Sequence, residues 1–455
     1  MSETLAERAA AFIANTKNRN HSPAVVELAK RCLVDWMGVA IGASGEPVSR
    51  TVALSALAWG AQGEARILLG DRTTPALAAL ANATMGHALD FDDTRGHAPS
   101  HLSSPTWSAA LAVAQHRDMD GVTALSAFIA GYEISAVIGD VLAGGKDIGT
   151  YGFGNLMQGA GFHPTSVLGR LSATAAAAVL MGCSQEQAVN ALATAATMGG
   201  GLTASFGTMA KPLHSGKAAM DGVQAAELAA RGFIAAPEVF EAPGGFASAF
   251  VQTAATKFDD VTFSPGESLS DNSFKPYACG KLIHGHIDAA RDLRDEWAER
   301  PVKQIRCRVA EISTRLVGRP LPTTHLEGKF SVAFCVALAL TDHAVLPGDF
   351  SAKRLADPKV NGLMNKVELT PDPAVGRYGA ILEIELETGE VLRATVERSR
   401  GNPENPLSWD DLKTKFDGMV KPILGDDADG LFDALRSIEK SGGLSRIQAL
   451  IQPRA

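Results

Sequence analysis

Cysteine is scarce in this chain, and the few residues present are poorly spaced for a structural role. Five cysteines occur in 455 residues, an odd number with no CxxC spacing among them. Disulfide frameworks and zinc ribbons need paired or closely spaced cysteines, so we expect neither. The first residues also lack the apolar core of a signal peptide. The cytoplasm is therefore the predicted location.

Other common signatures are missing as well. The chain has no GxGxxG fingerprint, no Walker A sequence and no GxSxG nucleophile elbow, so neither a nucleotide site nor a serine hydrolase site is indicated. No uninterrupted apolar run reaches the length of a membrane span. The net charge of −8 argues against a surface for nucleic acids or anionic membranes. We expect no cofactor and neither of those partners, and any anion site must be a local cluster of positive groups.

Helical patterning is what the chain has in abundance. Segments rich in Ala and Leu place apolar residues at helical spacing in Ser22–Ser44, Thr74–Asp93 and Asp120–Gly144. The frequent Ala and Gly predict helices that approach one another closely. After residue 262 the pattern changes: VKQIRCRVAEIST alternates like a strand, and Ala380–Arg398 predicts a β-hairpin that turns at Thr388–Gly389. Three short helical patterns follow Arg400.

The predicted fold class is mainly α with an α+β second domain. A large all-helical domain is expected from residues 1–262 and 399–455, with a smaller α+β lid domain from residues 263–398 inserted near its end. The chain length allows two or three domains.

The segment HALDFDDTRGHAPSH, from His87 to His101, packs three Asp and three His into fifteen residues. Its aspartates could hold magnesium, but no basic cradle for a diphosphate accompanies them. Asp92 and Asp93 could instead cap neighbouring helices. On a continuing helix, Asp90 shares a face with His87 and Thr94. Asp90 is therefore the better candidate for an active site.

Two histidines of this segment, His97 and His101, are four residues apart, as in some zinc sites. Pro99 lies between them and breaks the helix that such a pair needs, so no metal site is predicted. We expect His101 instead in the loop that enters a helix near Pro105.

His163 and Lys211 are each followed directly by a proline and a helical run of small residues. Proline fits the first turn of a helix, so both residues are predicted at helix N-termini. Such an end attracts anions and disfavours imidazolium, which favours a neutral, basic His163. Lys275 repeats the Lys-Pro pattern. His284 and His286 lie two positions apart and face different ways, so one of them is expected to be structural.

These residue types suit proton abstraction next to a carboxylate. Because an α-proton is weakly acidic, positive groups must neutralise the adjacent carboxylate as charge develops. A neutral His then removes the proton. A second group protonates either a leaving hydroxyl or the opposite face of the reacting carbon. We expect these groups to meet at the junction of the two predicted domains.

Six motifs in order resemble the MmgE/PrpD family across nearly the whole chain: HALDFDDT, GFHPTSVLG, MAKPLHSGKAAMDGVQAAELAARGF, FKPYACGKLIHGHIDAA, LEGKFSVAF and RGNPENPLSWDDL. The resemblance implies a homodimer and cofactor-free chemistry on small di- or tricarboxylates. Matched motif by motif, it implies that the pocket residues are Asp90, Thr94, His101, His163, Lys211 and Lys275. We predict His163, His101, Lys211 and Asp90 as catalytic, and we predict substrate contacts from Lys275, Thr94, His214, Cys279 and His284.

Two departures separate this chain from cis-aconitate decarboxylases. The spacing between DFDDT and His101 is one residue longer, and Gly280, preceded by Cys279, stands where those enzymes carry a His. The lost His argues against decarboxylation, whereas LEGKFS around Lys329 resembles the epimerase branch. The first choice is a hydro-lyase like 2-methylcitrate dehydratase. An epimerase of an amino-dicarboxylate, such as iminodisuccinate epimerase, is the close alternative, followed by a decarboxylase and a non-catalytic carboxylate-binding homologue.

Overall fold

The computed structural model describes residues 3–16, 19–60, 62–96, 99–142, 157, 159–251, 258 and 260–453. His97 lies outside these residues. The first part of the described chain is helical. Its helices are α1 (Leu5–Ala14), α2 (Pro23–Gly42), α3 (Pro47–Trp59), α4 (Pro75–Ala88), α5 (Ser103–His116), α6 (Gly121–Leu142), α7 (Pro164–Met181), α8 (Gln185–Thr197), α9 (Ala210–Ala230) and α10 (Phe246–Val251). Two short antiparallel pairs accompany them, β1 (Ala65–Arg66) with β2 (Arg72–Thr73), and β3 (Thr94–Arg95) with β4 (Asn272–Ser273).

The longer strands follow residue 300 and form one four-stranded sheet in the order β6, β5, β7, β8. The strands are β5 (Val302–Val309), β6 (Val367–Pro371), β7 (Ala380–Leu386) and β8 (Val391–Val396), and β6 pairs parallel to β5 whereas the other two pairings are antiparallel. The predicted hairpin is confirmed: Gly389 turns it at φ 87°, a conformation that glycine adopts without a steric penalty.

Helices also accompany this sheet and complete the chain. They are α11 (His284–Trp297), α12 (Glu311–Leu316), α13 (His325–Gly328), α14 (Val332–Leu340), α15 (Ala352–Leu355), α16 (Pro358–Met364), α17 (Trp409–Leu424), α18 (Asp427–Arg436) and α19 (Gly443–Leu450). The last three match the three helical patterns predicted after Arg400. The fold class is confirmed as mainly helical with a smaller α+β part.

The C-terminal helices return to the first part of the chain. α17 packs against α2, and the ammonium of Lys415 on α17 lies 2.6 Å from the buried carboxylate of Asp35 on α2. This contact is the arrangement expected of a discontinuous helical domain. The domain boundaries themselves stay a prediction.

One prediction about α4 is wrong. The sequence pattern extends its helix to Asp93, but α4 ends at Ala88, and Asp90 adopts a left-handed conformation with φ 52°. That conformation is uncommon for a non-glycine residue and turns the chain sharply. Asp90 therefore lies in a turn and Thr94 in the short strand β3. The helical face that the sequence predicted for His87, Asp90 and Thr94 does not form.

α6 is long and apolar enough to cross a membrane by composition, and 78% of its apolar window is buried inside the protein. A core helix of a soluble protein passes the same test. The predicted location in the cytoplasm rests on sequence alone.

Glycine lets the central helices approach closely, as the composition predicts. α9 packs against both α4 and α7. A Cβ atom at Gly216 of α9 would lie 2.1 Å from Thr84 Oγ1 and 2.4 Å from the carbonyl oxygen of Leu80, both on α4. The contact between α4 and α9 thus depends on the missing side chain.

We expect Gly216→Ala to destabilise the protein by about 1–3 kcal/mol, because overpacking outweighs the better helix propensity of Ala. Chemical denaturation would measure the change. The matched control is Gly430→Ala on α18, where a Cβ would meet open space and about 0.5–1 kcal/mol of stabilisation is expected. Equal effects of the two substitutions would contradict the close packing of α4 and α9.

Candidate active site

A cleft that is partly open to solvent gathers residues from distant parts of the chain. It lies between the helical first part and the α+β part. Six predicted pocket residues line it: Asp90, Thr94, His101, His163, Lys211 and Lys275. The α+β part contributes a further wall, which contains Gly280, Lys281, Leu316, Val317, Phe330, Arg377 and Tyr378.

The carboxylate of Asp90 is buried between two lysines. Its Oδ1 lies 3.1 Å from the ammonium of Lys211 and 2.6 Å from that of Lys275. Burial acts to raise the pKa of Asp90, but the two ammonium groups outweigh it and hold the pKa well below its usual value. Asp90 is therefore ionised. Two ammonium groups around one carboxylate leave this cluster with a net charge of +1.

Three lysines also hold the main chain around Asp90. Lys329 donates to the carbonyl oxygen of Leu89 at 2.6 Å, Lys275 to that of Asp90 at 2.9 Å, and Lys415 to that of Phe91 at 2.6 Å. These carbonyls follow directly after α4, where cations interact favourably with the helix dipole. The turn at Asp90 is thus fixed by side chains that come from the second half of the chain.

His163 occupies the N-cap position of α7, immediately before Pro164, as predicted. Its Nδ1 lies 3.1 Å from Nδ1 of His214. Burial, together with the charge of Lys211, lowers the pKa of His163 well below its usual value. The imidazole is therefore neutral near pH 7 and able to accept a proton.

His101 lies two residues before α5, which begins at Ser103 rather than near Pro105. Its backbone N–H donates to the hydroxyl of Thr165 at 3.0 Å. Because Thr165 is in the first turn of α7, this bond ties the loop of His101 to the helix start that carries His163. Two histidines at helix starts thus share one cleft.

Three predicted substrate contacts are not among the residues that line the cleft. His214 contacts His163, and Cys279 is fully buried. His284 is also fully buried, with Nε2 3.3 Å from the carbonyl oxygen of Cys279. The chain turns between Cys279 and His284 through a short 3-10 helix, Lys281–Ile283, and Gly280 and Lys281 line the cleft instead. His286 is likewise buried, with Nε2 3.0 Å from the carbonyl oxygen of Arg308, and which of the two histidines is structural stays a prediction.

Sequence reasoning missed several residues of the site. Lys281 lines the cleft and is buried, and the contact described for its ammonium is a long one of 3.5 Å to the carbonyl oxygen of Arg400. Burial, followed by repulsion from Lys275, lowers the pKa of Lys281 to about 7. Arg377 and Tyr378 also line the cleft from the α+β part. No local pattern marks these positions, because they reach the cleft only through the tertiary fold.

The capping role considered for Asp92 and Asp93 is wrong. Asp92 accepts a hydrogen bond from Nδ1 of His87 at 2.9 Å. Asp93 accepts hydrogen bonds from the side chains of Ser103 and Asn272. Burial, together with repulsion from Asp35, raises the pKa of Asp93 to about 7. Both carboxylates bind side chains in the protein interior.

Comparison with known proteins identifies the family of this chain. The sequence profile of the MmgE/PrpD N-terminal domain matches residues 7–259, and that of the MmgE/PrpD C-terminal domain matches residues 277–437. The chain belongs to the MmgE/PrpD family. Cis-aconitate decarboxylase of Homo sapiens is 27% identical and aligns with 99% of this chain and 95% of its own length. The cis-aconitate decarboxylase of Aspergillus terreus is 26% identical, over 84% of this chain and 82% of its own. This chain is an enzyme of the family, a lyase or isomerase.

Among the described residues, three side chains have ligand atoms close enough together to bind one metal ion. His87, Asp92 and His101 offer ligand atoms within 4.8 Å of one another. The ammonium of Lys211, however, lies 3.0 Å from Nε2 of the same His87. This ammonium group would repel a divalent metal ion bound to His87. The ammonium also supplies the positive charge that balances the buried carboxylates. The contacts fit a hydrogen-bonded network better than a metal centre.

We therefore expect activity to survive exhaustive chelation. The measurement is turnover after dialysis against EDTA, with metal content determined by mass spectrometry. Loss of activity that magnesium or zinc restores would revive the metal interpretation.

Proposed function

We propose that this enzyme removes a proton next to a carboxylate of a small di- or tricarboxylate, without a cofactor. The observation that carries the proposal is the meeting of a neutral His163 with the cationic Lys211 and Lys275 in one cleft. A base and charge-neutralising groups are the two requirements for forming a carbanion next to a carboxylate.

His163 is the proposed base. It precedes the helix α7, whose N-terminal dipole disfavours imidazolium in the resting enzyme. Burial acts in the same direction. A proton gained by His163 in the reaction then lies in an environment that favours its return to substrate, which suits one group acting as base and later as acid.

Lys211 and Lys275 are the proposed anchors for the substrate carboxylates. An ammonium has three N–H donors. Lys211 uses two on His87 and Asp90, and Lys275 bonds the carboxylate and carbonyl of Asp90. Each retains a donor for a substrate oxygen. Lys211 comes from the helical part and Lys275 from the beginning of the α+β part, and both already contact Asp90 where the two parts meet.

Elimination of water from a hydroxy-tricarboxylate is the first choice for the second step, as in 2-methylcitrate dehydratase. His101, on the same cleft, is then the acid beside the leaving hydroxyl. Decarboxylation is favoured by the names of the relatives, but Gly280 stands on the cleft wall where a decarboxylase-like His is expected. Epimerisation of an amino-dicarboxylate needs the same base and an acid on the opposite face.

A proton-exchange screen tests the proposal. The enzyme is incubated in deuterated buffer with citrate-, aconitate- and succinate-like acids and followed by NMR. We expect deuterium at a carbon next to a carboxylate in at least one acid, and the accompanying product distinguishes dehydration, decarboxylation and epimerisation. Absence of exchange and of product across the whole set would refute proton abstraction from such acids.

Replacing His163 with Gln should lower turnover by roughly 10²–10⁴-fold, the usual contribution of a positioned proton-transfer group. The matched control is His286→Gln, because His286 is equally buried but bonds a backbone carbonyl away from the cleft. The initial rate of exchange or product formation is the measurement. Near-normal turnover of the His163 variant would reassign this residue to packing.

Replacing Lys211 or Lys275 with Met should weaken the binding of inert tricarboxylate analogues at least tenfold, because each removes a positive charge from the cleft. Calorimetric titration measures the affinity. Lys217→Met is the control, since that lysine lies on α9 but is half exposed and pairs with Asp221. Unchanged analogue affinity with collapsed turnover would make the lysine a proton donor and not an anchor.

A further inference from the structure

Asp92 lies between two imidazoles. Its Oδ2 is 2.9 Å from Nδ1 of His87 and 3.4 Å from Nδ1 of His101, and the two rings are 4.5 Å apart, centre to centre. The side chains of Asp92 and His87 are completely buried. Neither residue is among those that line the cleft. Whatever they contribute must act through other side chains.

The protonation state of this group is fixed by the electrostatics of its surroundings. Burial acts to raise the pKa of Asp92, but His87 and His101 outweigh it and hold the pKa well below its usual value. An ionised carboxylate only accepts hydrogen bonds. Nδ1 of His87, which hydrogen-bonds to Asp92, must therefore carry the proton of that ring.

The tautomer of His87 determines how Lys211 is held. Burial lowers the pKa of His87 to about 3, so its ring is neutral and carries only one proton. With that proton on Nδ1, Nε2 has a free lone pair, and it lies 3.0 Å from the ammonium of Lys211. Lys211 thus donates to Nε2 of His87 and to Asp90, and its direction in the cleft is fixed by two acceptors.

We propose that Asp92 is a positioning residue of this site, which fixes the tautomer of His87 and, through His87, holds the ammonium of Lys211 in the cleft. The inference deepens the proposed function and rests on it for its catalytic consequence. Its structural part, the tautomer of His87, stands independently of any substrate.

Asp92→Asn tests this with little change in shape. Both oxygens of Asp92 lie near Nδ1 of His87, at 2.9 and 3.0 Å. An amide replaces one of these acceptors with an NH₂ donor, which opposes a proton on Nδ1. The proton of His87 is then favoured on Nε2, where it faces the ammonium of Lys211.

The decisive measurement is ¹⁵N NMR of the imidazole nitrogens in histidine-labelled, substrate-free enzyme, with the signals of His87 assigned from His87→Gln. We expect the Nδ1–H form of His87 in the wild type and the loss of this form in Asp92→Asn. Turnover on a substrate found by the exchange screen should fall at least 10²-fold, and Asp92→Glu should restore part of it.

Asp93→Asn is the matched control. Asp93 is equally buried in the same loop but accepts from Ser103 and Asn272, so its replacement should leave the tautomer of His87 and turnover as in the wild type. The proposal is overturned if His87 carries its proton on Nε2 in the wild type, or if Asp92→Asn and Asp93→Asn have equal effects. If Asp92→Asn fails to fold, the wild-type spectrum alone decides. If the exchange screen fails, the proposed function falls while the tautomer of His87 can still be as inferred.

Discussion

The rest of the site depends on burying the carboxylate of Asp90 in its ionised form. Removing such a group from water costs several kcal/mol unless opposite charges and hydrogen bonds replace the lost hydration. Here the replacement comes from Lys211 and Lys275, which approach from different parts of the chain. Each lysine is itself buried, so each in turn needs the carboxylate. The three charges are therefore stable only together.

This mutual dependence also explains the unusual backbone at Asp90. A left-handed conformation in a non-glycine residue is strained and persists when the surroundings determine it. The surroundings here are the lysine ammonium groups bound to three consecutive carbonyls and to the Asp90 side chain. The same lysines thus stabilise both the strained backbone and the buried carboxylate of Asp90. The result is a cleft whose positive groups are already oriented before a substrate carboxylate arrives, which lowers the cost of binding.

Local sequence predicts the parts of this site that local interactions determine. Pro164 marks the start of α7 and so the place of His163, and Thr388–Gly389 marks the hairpin. The end of α4 could not be predicted, because its residues favour helix beyond Ala88 and only the distant lysines stabilise the turn. Lys281 and Asp92 could not be assigned for a similar reason: their partners lie far along the chain or across a turn that the helical pattern conceals. The contacts of His284 depend on the 3-10 helix before it. The two-residue spacing between His284 and His286 does not reveal that helix.

The three lysines that hold the carbonyls of Leu89, Asp90 and Phe91 have a consequence for the order of synthesis. Lys275, Lys329 and Lys415 enter the chain long after the loop that they bind. A ribosome that has completed the helical first part has therefore made the loop of Asp90 without the groups that give it its shape. The cleft can take its final form only after α17, which carries Lys415, has been synthesised. A nascent or truncated chain with a well-folded helical part would thus carry the principal histidines of the site and remain inactive.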